Sequence, residues 1–272
     1  MTAALVLPMT GSAAALYTLT ALAHATLIFR RGFERLASWS TRMAWTLHTA
    51  GLALLVTHTG RAPVYSLFEV SMFLAWLLFT PYVYLEYVHR NQSVGAVLAP
   101  VAAAVLVTAL AAPRPAADPF PGVPPQQLLV WHVGMTLLGY LFFLAAFVAG
   151  ALYLVQDRNL RRKAFGPIYH MLPSLEWLDR SAGRLVTVGF ALLTLGVAAG
   201  ISFARVTWGT FWHADPKVLF TLLLWLVYGG YLALRQVRCW GGRRAAWWSV
   251  AAGAAVLFNY VFINMASSSH RF

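Results

Sequence analysis

Acidic residues and cysteine are what this sequence has least of. Eight Asp and Glu stand against 20 Lys and Arg in 272 residues, for a formal net charge of +12, and charged residues of both signs make up only 10% of the chain. So little charge, with 60% hydrophobic residues and a mean hydropathy of +0.67, excludes an ordinary soluble domain. The one cysteine, Cys239, excludes an internal disulfide framework, a Cys-x-x-Cys redox pair and a thiolate metal cluster. Strand-like alternation is missing as well, which argues against a membrane barrel.

What remains is a series of long apolar runs. A spanning helix needs roughly 20 mostly apolar residues to cross about 30 Å of hydrocarbon. Eight segments meet that test: Thr10 to Phe29, Met43 to Thr59, Tyr65 to Val88, Ser93 to Ala112, Leu128 to Gln156, Leu185 to Arg205, Lys217 to Val237 and Ala245 to Met265. The expected fold is therefore an all-α integral membrane protein of about eight transmembrane helices, one polytopic domain over residues 1–272 without repeats. The first run is long, lacks a basic leader and precedes Arg30 and Arg31, so it reads as a spanning helix rather than a cleaved signal.

Basic residues set the orientation, because cytoplasmic loops retain Lys and Arg. With both termini on the external side, 15 of the 20 fall on the inner face and five, Arg61, Arg114, Arg205, Lys217 and Arg271, on the outer. The positive charge is thus an inner-face anchor to anionic lipid, and no nucleic-acid partner is needed to explain it. The outer stretch 113–127 is too rich in proline to be helical. The inner link 157–184 contains Ser174, Glu176 and Asp179, which suit either the start of a short amphipathic interfacial helix or an ordinary solvated connector.

On this topology four of the eight histidines, His58, His132, His213 and His270, lie on the outer side. His132 is expected about four residues into the fifth helix, roughly 6 Å along its axis. Any one histidine near membrane depth is more often an interhelical hydrogen bond or an anchor than a ligand. Convergence with Trp131, Trp208, Phe211 and Trp212 favours a ligand. A flat macrocycle with a central iron and two carboxylates calls for imidazoles on the metal, aromatic faces on the ring and arginines for the propionates, for which Arg61, Arg114, Arg205 and Arg271 are the outer candidates, and haem fits that description. A bare zinc or copper site gives the tryptophans no purpose, and a proton relay would want more acidic residues than Glu69, Glu86 and Asp215. Within the loop at 206–216, Pro216 suits the first turn of the seventh helix, with Asp215 before it either capping that helix or contacting a ligand or partner.

WGTFWHADPK (208–217), YSLFEVSMFLAW (65–76), WHVGMTLLGY (131–140) and the SSSHRF tail resemble the motifs of cytochrome c assembly proteins of the CcsA (ResC) type. The resemblance implies a haem-binding membrane protein of cytochrome c biogenesis in the cytoplasmic (inner) membrane, with haem b as cargo for apocytochrome c and a CcsB (ResB)-like membrane partner. It implies His132 and His270 as the two axial ligands under a tryptophan-rich loop contributing Trp208, Trp212 and Asp215. It assigns no catalytic residue, and at most makes the chain the haem-handling part of a haem lyase complex. The chain departs from the family's WGxxWxWDPKE at Ala214 and Val218, and from its YLHxR at Ala233. LPSLEWLD and DPKV also resemble HemX-like relatives, which implies the alternative of a protein regulating tetrapyrrole synthesis through a partner, without haem transfer.

Overall fold

The structure is a computed structural model; it describes residues 2–29, 32–89, 94–112, 126–166, 169, 172–211, 215–237 and 240–260. Among them there are eight long helices and no strand: α1 (Thr2–Phe29), α2 (Glu34–Thr59), α3 (Leu67–His89), α4 (Gly95–Ala111), α5 (Gln126–Arg161), α6 (Leu175–Trp208), α7 (Pro216–Arg235) and α8 (Arg243–Phe258). Each of the eight expected runs falls on one helix. Five of these helices, α1, α3, α5, α6 and α7, are long and apolar enough to cross a membrane, and α4 is a shorter apolar helix. The chain is a multi-pass membrane protein with an all-α fold. Its helices gather into two compact units, α1–α4 and α5–α8.

In the first unit α1 lies between α2 and α4, and α3 packs on α4 and α2. In a membrane interior, polar side chains must find partners within the protein. Two tryptophans show how α2 and α3 do this. Trp45 Nε1 donates to Thr80 Oγ1 at 3.0 Å and Trp76 Nε1 to Thr49 Oγ1 at 2.9 Å. Each threonine passes its own proton back one turn, Thr49 to the Trp45 carbonyl and Thr80 to the Trp76 carbonyl. The result is a closed reciprocal ring between antiparallel helices. The start of α3 is held by a variant of the capping box. The Glu69 N–H donates to Ser66 Oγ, and the Glu69 carboxylate accepts from the Tyr65 N–H at 2.8 Å. Arg61 closes this arrangement through Glu69 at 3.3 Å, with its guanidinium 4.2 Å from the centre of the Tyr65 ring.

In the second unit α5 packs on α6 and α8, and α7 on α6 and α8. The link 157–184 departs from expectation. Ser174 does cap a helix, accepting from the Trp177 N–H, but that helix is α6 itself, continuous for 34 residues from Leu175 rather than a separate short segment followed by a span from Leu185. At 1.5 Å per residue α6 is about 51 Å long, more than the roughly 30 Å of hydrocarbon. Its first turns carry Asp179, which organises that end of the unit. Asp179 accepts from Arg235 Nη1 at 2.8 Å and Nη2 at 3.2 Å, and from the Gly242 N–H at 3.0 Å, so one carboxylate joins α6, the end of α7 and the turn into α8. Gly242 is in the left-handed region (φ 59°), and a Cβ there would lie 3.0 Å from the Tyr153 hydroxyl.

Removing one member of a largely shielded charge pair leaves the other without a partner. Asp179→Ala should therefore cost about 2–4 kcal/mol in thermal or denaturant unfolding. Arg235→Ala should cost a similar amount, and the double variant little more than either; additive losses would mean that the two residues do not act as a pair.

Candidate functional site

The expected site begins at His132, and the sequence around it explains its position. α5 and α6 run antiparallel at very close range because glycines face side chains across the seam. A Cβ on Gly139 would lie 3.1 Å from the Gly189 carbonyl and from the Leu193 nitrogen. One turn along, a Cβ on Gly196 would meet Thr136 Oγ1 at 2.5 Å, and the next, on Gly200, would meet the His132 ring at 2.5 Å. His132, Thr136, Gly139 and Phe143 thus oppose Gly200, Gly196, Leu193 and Gly189 in one continuous register. Small residues allow such approach in membranes, where apolar burial adds little force between helices.

His132 lies in this groove, half-buried, six residues from the start of α5. That is about 9 Å along the helix, somewhat deeper than expected. Its Nδ1 is 2.7 Å from the Gly196 carbonyl oxygen. A carbonyl only accepts, so Nδ1 carries the proton and Nε2 keeps a lone pair. This is the tautomer of a metal-ligating imidazole, with its orientation set by the second nitrogen's hydrogen bond. Lys217, the second residue of α7, is near enough for its charge to bear on the ring.

The remaining candidates divide. Asp215 is buried, and its Oδ1 accepts from the Lys217 N–H at 2.8 Å with Pro216 at the first helical position, so it caps α7 as one of its two expected roles required. Trp208 is the last residue of α6, which closes at Gly209 in the left-handed region. Arg205 sits over the Phe211 ring, 4.5 Å from its centre, and both residues are exposed. Trp131 is also exposed, next in sequence to His132 but on another side of α5. Trp212, His213 and His270 lie outside the described residues, as do Arg114 and Arg271. Among the other arginines considered for carboxylate ligands, Arg61 is engaged with Glu69. The described residues hold no cluster of three metal-binding side chains. Sequence reasoning missed Gly196 and Gly200, although their small-x-x-x-small spacing was a usable signal.

Gly200→Ala should turn the imidazole out of its groove and break its bond to Gly196, lowering stability by about 1–3 kcal/mol and shifting the His132 nitrogen resonances. Gly134→Ala, where a Cβ meets nothing within 4 Å, should be neutral or stabilising. Asp215→Ala should cost about 1 kcal/mol, whereas Asp215→Asn, which caps equally well, should cost much less. Equal losses in the two Asp215 variants would point away from capping.

Comparison with known proteins agrees with these motifs. Residues 64–270 match the family of cytochrome C assembly proteins. The chain is similar to the cytochrome c biogenesis protein CcsA of Guillardia theta, 30% identical over 243 residues, covering 83% of this chain and 81% of that one. It is equally similar to CcsA of Synechococcus sp. (strain CC9605), 30% over 260 residues with 87% and 84% covered. Protein HemX of Bacillus subtilis (strain 168) is 30% identical over 239 residues, covering 88% of this chain and 87% of that one. With three quarters of its length inside the family match and relatives along most of the chain, this protein belongs to the cytochrome c assembly protein family.

Proposed function

We propose that the chain takes part in cytochrome c biogenesis by binding haem b as cargo at the outer face of the cytoplasmic (inner) membrane, with both of its termini on that side, and holding it for attachment to apocytochrome c. The observation that carries this reading is the His132 tautomer: Nδ1–H is given to the Gly196 carbonyl, which leaves Nε2 as an iron ligand. Family membership supports it, and the family match extends to His270, the second axial ligand in this proposal. Trp208, Phe211 and Trp212 would cover the macrocycle. Arg205, exposed and set over the Phe211 ring among the described residues, can turn to a propionate, and Lys217 supplies a second cation near the imidazole.

Thioether formation belongs to the haem vinyl groups and the apocytochrome thiols once they are oriented. The work of this chain is to position the cargo and protect the iron until another ligand displaces a histidine. With a single cysteine it supplies no thiol chemistry of its own, and a CcsB (ResB)-like partner completes the machine.

A second reading has a specific observation in its favour. The similarity to HemX covers 88% of the chain, and Ala233 stands where the family's YLHxR pattern has histidine. In this reading the protein regulates tetrapyrrole synthesis through an inner-face partner that contacts residues 157–184.

Absorption spectra of the purified protein separate the two. Wild type should show a low-spin Soret band and a sharp alpha band. Both should weaken in His132→Ala and in His270→Ala and return with added imidazole. A colourless wild type that takes up no haem, with both variants as stable as wild type, would overturn the haem reading. If substitutions in 157–184 alone abolished function, the regulatory one would be favoured.

A further inference from the structure

The interior of the second unit contains polar groups that the His132 site does not use. Among the described residues, Thr136, Tyr228, Tyr231, Ser249 and Asn259 each bury a side-chain oxygen that makes no hydrogen bond of good geometry. Tyr228 and Tyr231 are 0% exposed, Ser249 and Asn259 1%, so lipid and bulk solvent cannot serve them. Leaving that many hydroxyl and amide oxygens unsatisfied in one bundle would cost an amount comparable to the whole net stability of a domain.

These groups form a connected set. On α5, His132, Thr136 and Tyr140 recur every four residues, along one side of the helix. Asn259 Nδ2, just past α8, donates to the Tyr140 hydroxyl at 2.7 Å, while its own carbonyl oxygen is left over. Tyr228 of α7 stacks on Phe143 of α5, ring centres 3.6 Å apart, and its hydroxyl neighbours those of Tyr140 and Tyr231. The Tyr231 hydroxyl in turn faces both Ser249 of α8 and the Arg235 guanidinium, close to each but outside good hydrogen-bond geometry. At the far end the Arg235 guanidinium is 5.8 Å from the centre of the Tyr231 ring while it pairs with Asp179.

What these atoms accept must be small, because rings stacked this closely leave no room for an organic molecule. It must also both donate and accept, because tyrosine and serine hydroxyls offer both functions and the Asn259 oxygen only accepts. Water meets both conditions, and buried water ordinarily takes two to four polar partners. We propose that the second unit binds a file of water molecules between α5, α7 and α8. It runs from the Arg235–Asp179 pair past Tyr231, Ser249 and Tyr228 to Tyr140, Asn259 and Thr136, the last of these one turn from His132. Hydroxyls alternating with water form a continuous donor–acceptor chain, through which a proton can pass between the charged end of the unit and the His132 face. The file stands on these groups alone and is independent of what His132 ligates.

The test is X-ray hydroxyl-radical labelling of the full-length protein in lipid nanodiscs, read by mass spectrometry, in which radicals generated from bound water mark the side chains beside it. Tyr228 and Tyr231 should be modified several-fold faster than Tyr17, which is equally buried but has its hydroxyl bonded to His48 at 3.1 Å. Labelling no faster than at Tyr17 would overturn the proposal. Tyr228→Phe and Tyr231→Phe give a second readout. Loss of a hydrated hydroxyl should lower Tm and slow labelling of the other tyrosine; an unchanged or raised Tm in both variants would mean a dry interior and would also overturn it.

Discussion

The hydrogen bond from His132 to the Gly196 carbonyl depends on how closely α5 and α6 approach, and much of the second unit depends on the same approach. A side chain at Gly196 or Gly200 would occupy the space of Thr136 or of the imidazole itself. The glycines therefore act as a mould: they bring a backbone carbonyl of α6 within reach of Nδ1 and so determine which ring nitrogen is left with its lone pair. Chemistry at His132 is in this sense specified by residues that have no chemistry of their own.

Much of the architecture was legible in the sequence because hydrophobic length is a direct physical requirement of the bilayer. The Asp215-Pro216 start of α7 and the Ser174 cap were legible too, since local backbone needs are written in local residue types. Tertiary partners were not. Nothing near Arg61 in the sequence indicates that Glu69 holds it instead of a ligand. Nor does the run through Leu185 show that the helix carrying it begins ten residues earlier, since propensity fixes caps better than it fixes where burial begins. His24 and His48 follow the commoner rule for a histidine at membrane depth. The first joins the Thr20 carbonyl and the Tyr82 hydroxyl, and the second joins Tyr17.

The two units meet the demand for internal polar partners in different ways. In the first, side chains answer one another directly, as in the Trp45–Thr80 and Trp76–Thr49 ring and the histidine–tyrosine pairs. Such contacts specify helix register, because sliding by one residue would break several bonds together. In the second, close backbone approach fixes the α5–α6 register, and the buried hydroxyls farther from that seam are less tightly matched.

Asp179 has a consequence for biosynthesis. Its carboxylate belongs to the first turns of α6, yet its partners are Arg235, 56 residues later, and the Gly242 N–H, 63 residues later. While the chain is still emerging, that negative charge lacks both of these partners, and an unpaired charge favours water over hydrocarbon. Only when α7 and the turn into α8 have been made can the charge be matched. The last helices to be synthesised thus supply the partners that fasten a helix made before them.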